Sequence, residues 1–327
     1  MKRNIVKAIL PAVLVTVALA GCGKSGENTG TVTFEAIEDK ENGNYSGTGA
    51  DGGADGETSG QTKANEADEK SSQLYEDFLA GNAKAKFTGE ADLGSYINLG
   101  NALTVGESYT LDEIIGNCEK GDEIEAFTFT GKQNSYIDCG QDGNKELLVE
   151  LEYGAEFTLK MIVKDMGGEL DIIYSRDQWS RSDLEINDDG TIESSGSGGA
   201  TIHGFDQAYI DADGKYHFYY GSEDYGMPYS YYAVKDGEYV VLDFEGLDTD
   251  HFMITSYWTS DAENKDYYYT LVELDDNYEV VENADLYSES NPFRQKFDQA
   301  GIPVYTAEEV NRILDDRAAQ IGYPIRK

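Results

Sequence analysis

The chain has 327 residues and sets 25 Lys+Arg against 63 Asp+Glu, a formal net charge of −38 at pH 7. A field of that sign repels phosphate backbones and anionic lipid headgroups, which argues against nucleic-acid binding, and it attracts divalent cations.

The first 24 residues read MKRNIVKAILPAVLVTVALAGCGK. Lys2, Arg3 and Lys7 form a basic start, and Ala8 to Ala20 an apolar run of 13 residues. At ~1.5 Å per residue that run is too short to cross a ~30 Å hydrocarbon core, so residues 1–21 read as an export signal. The segment Leu19-Ala20-Gly21-Cys22 resembles the lipobox of bacterial lipoproteins. The resemblance implies diacylglyceryl modification of the Cys22 thiol, cleavage just before it, and attachment to the extracytoplasmic face of the cell membrane. Each buried methylene of an acyl chain contributes ~0.8 kcal/mol, and two chains anchor stably where one is marginal. No other run approaches the ~18 apolar residues of a spanning helix. Without residues 1–21 the chain keeps 22 Lys+Arg against 63 Asp+Glu, or 22 − 63 = −41. Solubility in a crowded cell envelope accounts for most of that charge.

Cys118 and Cys139 remain. An extracytoplasmic setting permits a bridge between them, but two cysteines in a domain this large are no disulfide framework, and two buried thiols are the simpler reading.

Residues 22–70 are rich in Gly, Ser, Thr, Asn and acids, with too few apolar side chains to offset the entropy of ordering, and read as a disordered acidic linker. Its flexible reach is roughly 35–40 Å. The GxGxxG pattern at Gly47-Thr48-Gly49-Ala50-Asp51-Gly52 has no strand before it and no helix after it, so it is no dinucleotide fingerprint.

Residues 71–327 read as a single β-rich domain with helices near 71–80, 110–119 and 306–320. The first places Leu74, Tyr75, Phe78 and Leu79 on one face, with Ser71 or Ser72 as N-cap and Gly81 as the stop. Thr110-Leu-Asp-Glu113 is a capping box before Ile114, Ile115 and Cys118; Thr306-Ala-Glu-Glu309 is another, before Val310, Ile313, Leu314 and Ile321. From about 124 to 282, β-branched and aromatic runs are punctuated by Asp142-Gly143, Gly167-Gly168, Asp189-Gly190, Asp213-Gly214 and Asp236-Gly237, which are hairpin-turn dipeptides. Glycines 143, 167, 190, 214 and 237 are 24, 23, 24 and 23 residues apart. The expected fold is mainly β with flanking helices (α+β), an antiparallel meander of hairpins, sandwich-like or partial propeller-like.

The stretch SYIDCGQDGNKELLVEL, Ser135 to Leu151, places Asp138, Gly140, Asp142, Gly143, Asn144 and Glu146 at positions 1, 3, 5, 6, 7 and 9 of a tight loop. Calcium loops place oxygens at 1, 3, 5, 7 and 9, with glycine at 6 for the turn. With its flanking strands the loop resembles FG-GAP and related calcium-loop motifs of secreted proteins. The resemblance implies calcium held by Asp138, Asp142, Asn144 and Glu146. It departs at Gly140, where the family carries Asp or Asn, and Val149 at position 12 excludes an EF-hand. A plain acidic turn is the competing reading. A weaker echo runs from Glu185 to Glu193. A three-residue turn there pairs Ile186 with Ile192 and sets Glu185 opposite Glu193.

Residues 216–232, YHFYYGSEDYGMPYSYY, are dense in aromatics. Alternation puts Tyr216, Phe218 and Tyr220 on one side and His217 and Tyr219 on the other. Exposed tyrosines on a sheet stack on sugar rings, so Tyr219, Tyr229, Tyr231 and Trp258 are the candidate ligand surface; Trp179 and Trp258 support a glycan site if they border one surface. His203, His217 and His251 lack metal-ligand spacing, and no HExxH, CxxC or GxSxG occurs. Asn291 to Lys327 is near neutral, which fits electrostatic docking of the last helix onto its own domain.

The whole resembles a lipid-anchored lipoprotein of Gram-positive bacteria. The expected work is that of a non-catalytic extracytoplasmic module binding a glycan or an envelope protein, with calcium as a stabilising ion. A hydrolase of envelope or extracellular substrates is the alternative.

Overall fold

A computed structural model describes residues 71–120, 128–262 and 265–324, all within the compact unit Gly56–Lys327. The export signal, Cys22 and the linker lie outside the described residues.

The chain opens with helix α1 (71–79), which ends at Gly81 with φ +76. Ser71 is already helical, so neither Ser71 nor Ser72 is the N-cap; the Ser71 hydroxyl instead donates to the Asp165 carboxylate at 2.7 Å. Strands β1 (Ala85–Phe87) and β2 (Ser108–Tyr109) flank the short helix α2 (Leu99–Ala102), and α3 (Leu111–Cys118) follows. The α3 capping box at Thr110 and Glu113 forms as the spacing predicts. Next come β3 (Phe129–Ile137), β4 (Glu146–Tyr153), β5 (Phe157–Asp165) and β6 (Leu170–Trp179). These make a six-stranded sheet ordered β2-β1-β6-β5-β4-β3, antiparallel except where β1 joins β6.

A second, seven-stranded sheet is ordered β15-β14-β13-β10-β9-β8-β7. Its strands are β7 (Ser182–Ile186), β8 (Thr191–Ser197), β9 (Ile202–Ile210), β10 (Tyr216–Gly226), β13 (Phe252–Trp258), β14 (Tyr268–Leu274) and β15 (Val280–Val281). Between β10 and β13 the chain leaves to form a separate hairpin, β11 (Ser230–Lys235) and β12 (Glu238–Asp243). Helices α4 (Pro292–Ala300) and α5 (Ala307–Ile321) close the chain, α5 with its capping box at Thr306 and Glu309. The fold is thus mainly β, built of curled antiparallel sheets with helices at the C-terminus.

Each turn dipeptide closes a hairpin. Gly143, Gly167, Gly168, Gly190, Gly214 and Gly237 all have φ between 81° and 105°. Asp236 (φ 52°) and Gly237 are the two central residues between Lys235 and Glu238, as a type I′ turn requires.

Apolar burial divides by sheet face. One face of the six-stranded sheet packs Leu147, Val149, Leu151 and Leu159 against Tyr75 and Phe78 of α1 and Ile114 of α3. Its other face packs Leu148, Ile162, Ile173 and Tyr174 against Leu184, Ile192, Ala208 and Ile210 of the second sheet. A bulge opposite Ile162 and Val163 lets consecutive Ile173 and Tyr174 both serve that second core. At the far end of the second sheet, Ile254, Tyr269 and Leu271 pack under Tyr231, Ala233 and Leu242 of the β11–β12 hairpin and Phe297 of α4. Cys118 and Cys139 are buried free thiols in different cores, and burial raises both.

The two acidic loops singled out by sequence meet where the sheets join. Asp138 N–H donates to Asp188 O at 2.7 Å, and a Cβ on Gly140 would stand 2.3 Å from Ala212 N. Glu185 does sit opposite Glu193, and Ile186 opposite Ile192.

Candidate functional site

The inner face of the seven-stranded sheet can be read row by row from its register, because directly opposed residues share a face. One row runs Ile186, Ile192, Ala208, Phe218. The next runs Leu184, Ser194, Asp206, Gly221, Trp258. The third runs Ser182, Gly196, Gly204, Glu223, Ser256, Tyr269. The fourth runs Ile202, Tyr225, Ile254, Leu271. The outer rows are apolar. The two middle rows carry glycine, serine, two carboxylates and a tryptophan, a composition that cannot close a dry core.

That middle zone is a groove. A cavity of ≈ 350 Å³ is lined by Trp179, Arg181, Gly204, Asp206, Glu223 and Trp258, among others. Its floor is glycine: a Cβ on Gly221 would stand 2.3 Å from Trp258 Cε2, so only glycine lets the indole lie on the strand. Lys265 Nζ covers the indole, 4.6 Å from the Trp258 ring centre, and lies 5.9 Å from that of Tyr267. On the other wall Trp179 rests against Tyr96 at 5.6 Å, with Arg181 over its ring at 5.7 Å.

One pair of charges at the groove is closed and the others are not. Arg176 Nη1 and Nη2 donate to the two Asp206 oxygens at 2.8 and 2.9 Å, a bidentate pair linking the two sheets. Burial works against the guanidinium charge, but Asp206 outweighs it and raises the arginine above its ordinary range. Burial, and next the Asp224 charge, push the Glu223 carboxyl up. Burial pulls Lys265 down, against the favourable charges of Asp261 and Asp206.

Glu223 and Gly221 face the groove because of a bulge. Phe218 pairs with Ala208, but Tyr220 pairs with Gln207, so Tyr219 is an extra residue that turns the rest of β10 over. Simple alternation put Tyr220 on the side of Phe218; the register puts it on the opposite face.

The sequence-predicted ligand surface is not one surface. Trp258 lines the groove together with Trp179, so the two tryptophans border one surface. Tyr231, 5% exposed, is core, against Tyr225 and Tyr269. Tyr219 stacks on Tyr323 beyond α5 at 4.3 Å. Tyr229 is 85% exposed at the start of the β11–β12 hairpin. Gly221, Glu223, Arg181 and Lys265 were not foreseen, since their grouping depends on the bulge and on strand order.

The acidic loop is drawn inward. Glu146 is 1% exposed; it accepts the Cys139 N–H at 2.8 Å and a bond from Lys164 Nζ. Asp138 accepts the Gly143 N–H at 3.1 Å, and Asp142 accepts from Asn144 N at 2.8 Å. A cation at this loop therefore has Asp138, Asp142 and Asn144 to draw on, while Glu146 serves Lys164. Among the described residues, no group of three or more His, Cys, Asp or Glu is arranged to hold a metal. Of the histidines, His217 meets Asp211 at 2.7 Å and His251 meets Asp275 O at 3.1 Å.

Comparison with family models, with curated proteins and with solved structures finds no match to this chain.

Proposed function

We propose that this chain is a lipid-anchored, extracytoplasmic, non-catalytic binding module whose groove takes a saccharide. The observation that carries the reading is that the two tryptophans of the chain line one cavity with glycine, serine and carboxylates between them. Saccharide sites need that mixture: aromatic faces for the C–H side of a sugar ring and polar groups for its hydroxyls. The Cys22 motif supplies the anchor in this reading, and an envelope or extracellular glycan the ligand. A panel of immobilised glycans probed with the protein and with Trp258→Ala tests it. Binding lost in the variant supports the reading, and equal binding by both removes the groove from it. Shortened oligosaccharides in the same incubation would move it to a hydrolase.

A calcium ion at the Asp138 loop belongs to the same proposal as a stabiliser. Thermal melting with and without chelator decides it: a fall in Tm that Asp142→Ala abolishes supports the ion, and an unchanged Tm removes it.

A further inference from the structure

Two bases stand at the groove, one on each tryptophan. Arg181 lies 5.7 Å over the Trp179 ring and Lys265 4.6 Å over the Trp258 ring. Neither makes an ion pair with a carboxylate among the described residues. The third base, Arg176, differs: Asp206 neutralises it in a bidentate pair. In a chain with 63 acids and 25 bases, two bases without a direct ion pair thus flank the groove, Lys265 feeling Asp261 and Asp206 only from beyond salt-bridge distance.

Lys265 also decides what can reach Trp258. The indole packs against Gly221, and the Lys265 ammonium lies over its ring. A sugar ring stacking on Trp258 has to displace the lysine. A neutral sugar forfeits the cation–π contact and offers the ammonium only uncharged hydroxyl acceptors in exchange. A sugar carrying an anion gives the displaced ammonium a charge-assisted partner while its ring takes the vacated face.

We infer that the groove selects a saccharide bearing an anionic group, carboxylate or phosphate, and that Arg181 and Lys265 are the residues that read it. The inference rests on the proposed saccharide site and names its ligand class. The anion binds between the two walls, with the guanidinium of Arg181 supplying a planar fork and Lys265 a point charge on a movable stem.

The experiment is calorimetric titration of the full chain with three probes: a galacturonate tetramer, the matching neutral galactose tetramer, and the same galactose tetramer carrying phosphate monoesters. One anionic probe binds on the order of tenfold or more tightly than the neutral one, as one added charge-assisted hydrogen bond implies. Which of the two does so tells carboxylate from phosphate. In Lys265→Gln and in Arg181→Gln the preference collapses toward one, while affinity for the neutral tetramer holds or rises. Lys86→Gln, at the Asp171 pair on the other sheet, leaves the preference intact. Equal binding of all three probes overturns the inference and leaves the saccharide site standing. A preference that survives both groove variants overturns the assignment of the two residues. No binding of any saccharide overturns the site and the inference together.

Discussion

Trp258 lies flat on Gly221, with indole Cε2 2.3 Å from where a Cβ on that glycine would stand. The contact joins two neighbouring strands at directly opposed positions. Gly221→Ala therefore pushes the indole off the groove floor. Overpacking of this kind costs ~1–3 kcal/mol, so the protein still folds with a lower Tm. Saccharide affinity should fall by about tenfold, equivalent to ~1.4 kcal/mol. Near-ultraviolet circular dichroism and a binding titration on one sample check both. An unchanged indole signal would contradict this geometry.

Glu146 and Lys164 form a pair near the junction of the two sheets, with side chains 1% and 12% exposed. Lys164→Met leaves an uncompensated buried carboxylate, which costs ~3–5 kcal/mol. The double variant Lys164→Met, Glu146→Leu removes the charge as well and should recover most of the loss. Urea denaturation measures both. A single variant as stable as the parent would show that the glutamate is not buried as described.

The raised carboxyl of Glu223 makes a pH prediction whose sign is fixed. Its folded value lies above the unfolded one, so the folded state favours the protonated form. Its contribution is greatest at acid pH and declines as pH rises from the ordinary glutamate range through the raised value. Glu223→Gln should therefore match the parent in Tm near pH 3.5 and exceed it at pH 7. A variant less stable at pH 7 would reverse the sign.

Beside the bulge at Tyr219, Arg317 of α5 meets a strand carbonyl: its Nη2 donates to Phe218 O at 2.7 Å. The Tyr209 hydroxyl donates in turn to Ile321 O at the end of the same helix. Docking of the last helix thus runs to carbonyls, not to the acidic surface that the charge contrast suggested. Arg317→Ala should cost ~1–3 kcal/mol, the range for leaving a buried acceptor unmade. Hydrogen exchange should show the loss concentrated in α5 and the end of β10.

What the sequence disclosed follows from range. Capping boxes at Thr110 and Thr306 and the turn glycines act within a few residues, and each forms where the spacing put it. Even the Glu185–Glu193 opposition follows from one turn length. Helix α4 escaped notice although Asn291 caps it and Gly301 ends it in the left-handed region, because its apolar stripe is narrow: only Phe297 is buried. The groove escaped for a different reason. One extra residue at Tyr219 reverses the faces of everything after it in β10, so alternation pointed the wrong side chains inward. Glu146 occupies a calcium-ligand position by spacing, yet the nearest cation is Lys164, eighteen residues away on the next strand. Long-range partners of that kind leave no local signature.

The central claim is that the groove between Trp179 and Trp258 is where ligand binds. The chain has two tryptophans, so its ¹H–¹⁵N spectrum carries two indole N–H signals, each a direct reporter of one wall. Titration with a bound saccharide should move both signals along one binding curve. Binding detected by calorimetry while both indole signals stay still would contradict the account.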